Sequence, residues 1–230
     1  MGAMNAVVAE CSAPTTPALR RRGRPANTST EDTVAAILQA ARRLFAAHGY
    51  AATSNQLVAG AVGLAHTAIY NHFGSKAKLF TAVFVDVQNL LIAELEESVS
   101  AAPDEPPFPR ALLDAVEALG RADPSYVDFL ASMYVEVRRH PELQEIFQGD
   151  TPFAIVDTIR GLASGATVEG AGAPDESMWF WITFALGLAQ LSTLADADTF
   201  AATVATFRRQ LATRSGIGGS DPTVHGRTAR

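Results

Sequence analysis

The chain has 230 residues, 48% hydrophobic and 18% charged, which are the proportions of a globular protein with a sizeable core and exclude a disordered chain. A single cysteine, Cys11, excludes a disulfide framework and points to a reducing, cytoplasmic setting; the first thirty residues carry no apolar signal core. The net charge of −6 conceals an asymmetry, because residues 20–80 hold eight Lys or Arg against two acids (+6), residues 81–230 hold ten against twenty-one (−11), and Glu10 supplies the last −1. No Asp or Glu occurs in the 53 residues from Thr33 to Val85. A stretch purged of carboxylates beside arginines reads as a surface for a polyanion.

Residues 1–28 form a leader rich in Ala, Pro, Thr and Arg, expected to be flexible. Its Arg20-Arg21-Arg22-Gly23-Arg24-Pro25 segment has the composition of an arm whose Arg22 and Arg24 enter a narrow A·T-rich minor groove. A helix is expected from Ser29, capped by Ser29 or Thr30, with Glu31 and Asp32 in its first turn. Val34, Ile37, Leu38, Ala41, Leu44 and Phe45 form its apolar stripe, and Gly49 is a left-handed stop. Thr53 and Gln56 have capping-box spacing for a short helix over Asn55–Val62, with Leu57, Val58 and Ala61 facing inward. Gly63 breaks that helix, and a second short one follows over His66–His72. The pair, joined by a tight Gly-containing turn with the first helix behind it, makes a helix-turn-helix.

Gly74-Ser75 restarts the chain into a long helix from Lys76 to about Val99, and the four prolines of residues 101–109 mark a loop. Further helices are expected near 110–122, 125–139, 142–165 (broken near Gly149–Pro152), 175–195 and 198–213. The apolar run Trp179–Ala195 is interrupted by Thr183, Gln190, Ser192 and Thr193 and is short for a membrane span, so no membrane is expected. With no strand pattern, the fold class is all-α. The expected layout is leader 1–28, helix-turn-helix domain 29–75, helical domain 76–214 and flexible tail 215–230.

At this point the sequence from Ile37 to Phe84 resembles the DNA-binding region of the TetR family of bacterial transcription regulators. The resemblance covers roughly residues 31–85. It rests on Leu44-Phe45 with His48-Gly49-Tyr50, on Ala52-Thr53-Ser54, on Ala59 with Gly63-Leu64 at the turn, and on Ile69-Tyr70, His72-Phe73, Ser75-Lys76 and Leu79-Phe80. It implies that the remaining residues build a variable helical domain for ligand binding and dimerisation. Ala65 departs from the family, which usually has Ser or Thr as the recognition-helix cap; losing that cap costs about 0.5–2 kcal/mol locally. Ala77 likewise stands where family members often carry an acid.

In a helix-turn-helix the second helix enters the major groove with its N-terminal residues near base edges. His66 and Thr67 occupy that place, with Tyr70 and Asn71 one turn further on. Asn can bond adenine through two hydrogen bonds, Thr can offer its methyl to thymine, and Tyr or His can bond phosphate. Ile69 faces inward, and His72 and Phe73 are expected to pack between helices. Lys76 and Lys78 lie in a first helical turn, which disfavours cations unless a phosphate completes the site. Thr53, Asn55 and Gln56 would clamp a second phosphate.

Two tasks fall to the back half. Trp179–Leu194 is apolar nearly all round and needs cover on both sides. Trp181, Ala185, Leu188 and Ala189, with Phe207 of the last helix, are assigned to a dimeric four-helix interface, the alternative being an internal core helix. Phe129, Met133, Tyr134, Phe153 and Phe184 supply material for a ligand pocket, though such a stripe also suits a core. No cofactor or metal is expected, since His66 and His72 have the wrong spacing for one helical metal face, and no catalytic grouping stands out, so the chain is not read as an enzyme. The expected function is a homodimeric, ligand-responsive repressor, released from a palindromic double-stranded DNA operator by a small apolar or amphipathic effector. The alternative is an architectural DNA-binding protein without ligand response.

Overall fold

The computed structural model describes residues 29–101, 108–149, 153–163 and 174–215. Arg22, Arg24 and the rest of the leader, together with the tail from residue 216, lie outside the described residues. The described regular structure is wholly helical: α1 (Thr30–Ala52), α2 (Asn55–Ala61), α3 (His66–Phe73), α4 (Lys76–Ser100), α5 (Phe108–Ala122), α6 (Ser125–Arg139), α7 (Pro141–Gln148), α8 (Ala154–Ala163), α9 (Pro174–Leu194) and α10 (Ala197–Ser215).

Local chemistry sets the boundaries of the first elements. Ser29 accepts a hydrogen bond from the Asp32 N–H (3.0 Å), while the Asp32 carboxylate accepts one from the Ser29 N–H (3.1 Å), a complete capping box at the start of α1. Gly49, at φ 76°, interrupts α1, and one further turn runs to Ala52. The cap of α2 is Ser54, whose hydroxyl accepts from the Leu57 N–H at 3.1 Å. The Thr53–Gln56 capping box expected from spacing is therefore not the one used. Thr53 is turned inward instead, its hydroxyl within donating distance of the carbonyls of Gly49 (2.9 Å) and Leu44 (3.1 Å) beside the interruption at Gly49. The buried face of α2 consists of Asn55, Val58 and Ala59, whereas Leu57 and Ala61 point outward, a correction to the inward set expected above.

Two cores are stacked along α4. The first gathers Ile37, Phe45 and Tyr50 of α1, Val58 of α2, Ile69 of α3, Phe80 and Val83 of α4, Phe129 and Met133 of α6, and Phe147 of α7. Phe80 is its centre, with ring centroids 5.0 Å from Phe45, 5.0 Å from Phe129 and 5.4 Å from Tyr50. The helix-turn-helix thus shares one hydrophobic core with α6 and α7. The second core joins Leu91 and Leu95 of α4 to α5, Ile159 of α8 and Met178, Trp181 and Ile182 of α9. Among the described residues, no helix is long and apolar enough to cross a membrane.

Candidate nucleic-acid interface

The turn between α2 and α3 is built by Gly63 (φ 67°) and closed by a hydrogen bond from the Leu64 N–H to the Ala59 carbonyl at 2.9 Å. α3 then starts at Ala65, which is extended and supplies no side-chain cap. Ile69 is fully buried and anchors the helix, Phe73 packs against the first core, and Gly74 (φ 76°) ends it. The opposite face is open: His66, Thr67, Tyr70 (50% exposed), Asn71 and His72 all face outward. His66 and Tyr70 meet edge to face at 5.0 Å. His72 is therefore no packing prop; that task falls to Phe73 alone. Gln56 on α2 and Lys78 on α4 are exposed as well.

Three of the expected phosphate ligands are placed elsewhere. Thr53 is fully buried and spent on backbone carbonyls. Asn55 is 7% exposed, with its side-chain oxygen buried and lacking a hydrogen-bond partner. The Lys76 ammonium turns back into the fold, donating to the Tyr50 carbonyl at 3.0 Å and lying 4.1 Å from the centre of the Tyr50 ring. Burial lowers the Lys76 pKa, against the opposing pull of Glu142 and Glu136. Burial, with Glu142 beside it, pushes the Tyr50 phenol up to about 12.

Sequence reasoning missed what Arg42 and Arg43 do. Both counted toward the basic balance of the N-terminal region, yet both are drawn to one carboxylate just before α6. Arg42, 2% exposed, donates to the Ser125 hydroxyl (2.9 Å) and the Asp123 carboxylate (2.8 Å), with its guanidinium 3.4 Å from the centre of the Tyr126 ring. Arg43 donates to the same carboxylate at 2.9 Å. Burial alone would raise the Asp123 carboxyl, but hydrogen bonds from Ser125, Arg43 and Arg42 outweigh it and hold the group well below the usual carboxylate range. A second junction lies nearby, where the His140 ring meets Tyr50 at a tilt with centroids 4.7 Å apart and a His140 ring nitrogen lies 3.2 Å from Glu136. These contacts tie α1 to both ends of α6. Nothing in the sequence signals a pairing across 81 residues; only the Asp-Pro-Ser stretch before α6 marks a polar helix start.

Within the second core lies a cavity, part of it open to solvent, walled by Phe84 and Gln88 of α4, Leu112 and Val116 of α5, Val127 and Tyr134 of α6, and residues of α8 and α9. Of the five expected pocket residues only Tyr134 lines it. Phe129 and Met133 are fully buried in the first core, Phe153 packs on Phe84 (5.5 Å) and Phe147 (5.8 Å), and Phe184 sits between Trp181 and Phe207. The residues assigned above to a dimer interface are likewise placed differently. Trp181, Leu188 and Ala189 are buried within the chain and Ala185 walls the cavity. The outward stripe of α9 is instead Phe180, Thr183, Gly187, Gln190 and Leu194, with Phe207 of α10 also exposed.

Comparison with known proteins identifies this arrangement. Residues 37–83 match the bacterial regulatory proteins of the tetR family. Over 69 residues the chain is 46% identical to an HTH-type transcriptional repressor of Mycobacterium tuberculosis, a span of 30% of this chain and 36% of that protein. Over 47 residues it is 47% identical to the HTH-type transcriptional repressor AcnR of Corynebacterium efficiens, covering 20% and 25% of the two chains. The match thus spans about a third or less of these relatives. The fold extends further. The fatty acid degradation regulator FadR of Bacillus halodurans superposes with a TM-score of 0.61 at 16% identity, over 80% of this chain and 96% of that one. FadR of Bacillus subtilis, solved in complex with stearoyl-CoA, gives 0.59 at 17% identity, over 79% and 97%. At such identities the likeness carries the fold alone. The helix-turn-helix is thus similar in sequence to the bacterial regulatory proteins of the tetR family, and the helical layout of the described residues is that of these solved structures.

Proposed function

We propose that this chain is a cytoplasmic, homodimeric repressor that leaves its operator when a small molecule occupies the helical domain. The observation that carries the reading is the outward face of α3. It combines His66, Thr67, Tyr70 and Asn71, flanked by Gln56 and Lys78, in a segment without a single acid. Tyr70 and Asn71 reach base edges or phosphates, and of the two lysines expected at a phosphate Lys78 keeps that role. Residues 29–75 form the reading domain, 76–214 the sensing and dimerisation domain, and the arginine arm of residues 20–25 tracks the minor groove.

Response to a ligand follows from what the cavity walls are attached to. Val127 and Tyr134 belong to α6, whose start is bonded to Arg42 and Arg43 and whose end abuts Gly49 and Tyr50. Phe84 and Gln88 belong to α4, which follows α3 directly. A molecule that separates α4 from α6 therefore moves α1 and α3 with them. Ligand and operator need only prefer different members of one equilibrium for each to weaken the other. An architectural protein would have no use for such a cavity, which favours the regulatory reading.

A two-fold dimer sets its recognition helices about 34–36 Å apart to meet successive major grooves. The exposed stripe of α9 fits a second copy, with Phe180, Thr183, Gly187, Gln190 and Leu194 at alternating spacings of three and four. Gly187 provides a clean test, because an added Cβ there meets nothing within 4 Å in the single chain. Gly187→Trp should fold with unchanged helicity and thermal midpoint. It should nevertheless sediment as a monomer and bind operator DNA at least about tenfold more weakly, since each half-site alone gives up the second set of contacts. A variant that remained dimeric would move the interface elsewhere.

A further inference from the structure

We infer that Glu142 and Glu136, at the corner where α6 gives way to α7, are positioning residues for the recognition helix. They keep the Lys76 ammonium clasped to Tyr50 and so hold α3 in one orientation; this rests on the DNA-reading function proposed above.

α2 and α3 are strung between the last turn of α1 and the first turn of α4. The two ends of that loop are joined by a hydrogen bond from the Lys76 ammonium to the Tyr50 carbonyl, 3.0 Å long and spanning 26 positions of the chain. The same ammonium lies 4.1 Å from the centre of the Tyr50 ring. Lys76 thus sets how far the end of α1 stands from the start of α4, and with it the stance of α3 between them.

An ammonium in this place needs compensation. It sits in the first turn of α4, where the helix dipole opposes a cation, and partial burial disfavours its charged form. The opposing charges come from the helical domain, Glu142 first and then Glu136. Both carboxylates are held by the corner itself. One oxygen of Glu136 lies 3.2 Å from His140 Nε2, and the other approaches Gly49 so closely that an added Cβ there would stand 2.7 Å away. Glu142 lies beside the Tyr50 phenol and 3.9 Å from His140 Nδ1. Its helix, α7, is seated in the first core by Leu143 and Phe147.

Lys76 also has an alternative. Lys78, in the same first turn, is exposed in a segment without acids. Released from the clasp, Lys76 would join it on the phosphate-facing surface. Weakening the corner should therefore change two kinds of DNA binding in opposite directions. Sequence-independent attraction gains a cation, while base readout loses a fixed α3.

The test uses the full-length protein on the DNA upstream of its own gene and on a scrambled duplex, across a range of salt. Glu142→Gln should steepen the slope of log affinity against log salt by about 1 and tighten binding to the scrambled duplex. It should also cut the preference for the upstream DNA at least about fivefold. Adding Lys76→Ala should remove the extra slope. Glu145→Gln takes the same charge from an exposed position of the same helix, and should leave slope and preference unchanged. If Glu142→Gln does not fold, Glu136→Gln is read in the same way. A Glu142→Gln protein that matches Glu145→Gln in slope and preference overturns the inference. Extra slope that survives Lys76→Ala does so too, because net charge alone would then account for it. An unaltered protein with no preference for its upstream DNA sinks the DNA-reading function and the inference together, whereas a preference unmoved by Glu142→Gln sinks the inference alone.

Discussion

Asp123→Ala should destabilise the chain by about 3–5 kcal/mol, read as a lower midpoint in denaturant, because it leaves the Arg42 guanidinium buried without its anion. The substitution removes the acceptor shared by Arg42 and Arg43 and the group that orders Ser125. A double variant, Arg42→Leu with Asp123→Leu, should recover most of that loss, since replacing a buried pair by apolar residues is often neutral. Operator binding by the double variant should persist while its response to ligand fades, because α1 and α6 then meet only through packing. The pH dependence has a definite sign. Asp123 is held below its unfolded value, so its stabilisation is complete above an unfolded pKa of about 3.9 and is lost as the pH falls through and below it. The junction is therefore constant across neutral pH, and a steep pH dependence of ligand response between about pH 6 and pH 8 would place the coupling elsewhere.

Tyr70→Ala should weaken specific operator binding by about 10- to 100-fold, the equivalent of about 1–3 kcal/mol, with little change in stability. Half of this side chain is solvent-exposed, and its ring neighbour His66 is exposed too, so removing it opens no cavity. Two lysines separate contact from support. Lys78→Ala should weaken binding uniformly across sequences and lower the slope of log affinity against log salt by about 1. Lys76→Ala should act on stability first, because its ammonium holds the Tyr50 carbonyl and ring inside the fold. A Lys76→Ala protein of unchanged midpoint but reduced salt slope would restore the phosphate role to that residue.

The helices were legible because their signals are local. Ser29, Gly49, Gly63 and Gly74 mark starts and stops, and the spacing of Ile37, Ala41 and Phe45 shows which face is inside. The exposed face of α3 was legible for the same reason: once Ile69 is fixed inward, 3.6-residue geometry turns Thr67, Tyr70 and Asn71 outward. What escaped was everything decided by partners distant in sequence. Lys76 has the position of a phosphate ligand in its helix, and only the approach of Tyr50 turns it inward. Arg42 belongs to a basic stretch by composition and to a buried ion pair by folding. Aromatic content likewise could not tell a core from a cavity. Phe129 and Met133 fill the core that α6 shares with α1 and α4, whereas the cavity is walled chiefly by aliphatic side chains. α9 is apolar around most of its circumference, so its sequence leaves open which stripe is covered within the chain and which is left for a second copy.

On the reading proposed above, the face of α3 reads DNA sequence. Its most direct test is a fluorescence-anisotropy titration of the protein on the DNA upstream of its own gene, at two salt concentrations and against scrambled competitor, with Tyr70→Ala run alongside. Two chains per site should bind saturably, in a way that survives competitor, weakens with salt and falls about 10- to 100-fold in Tyr70→Ala. Binding that scrambled DNA competes away equally well, with Tyr70→Ala indistinguishable from the unaltered protein, would contradict it.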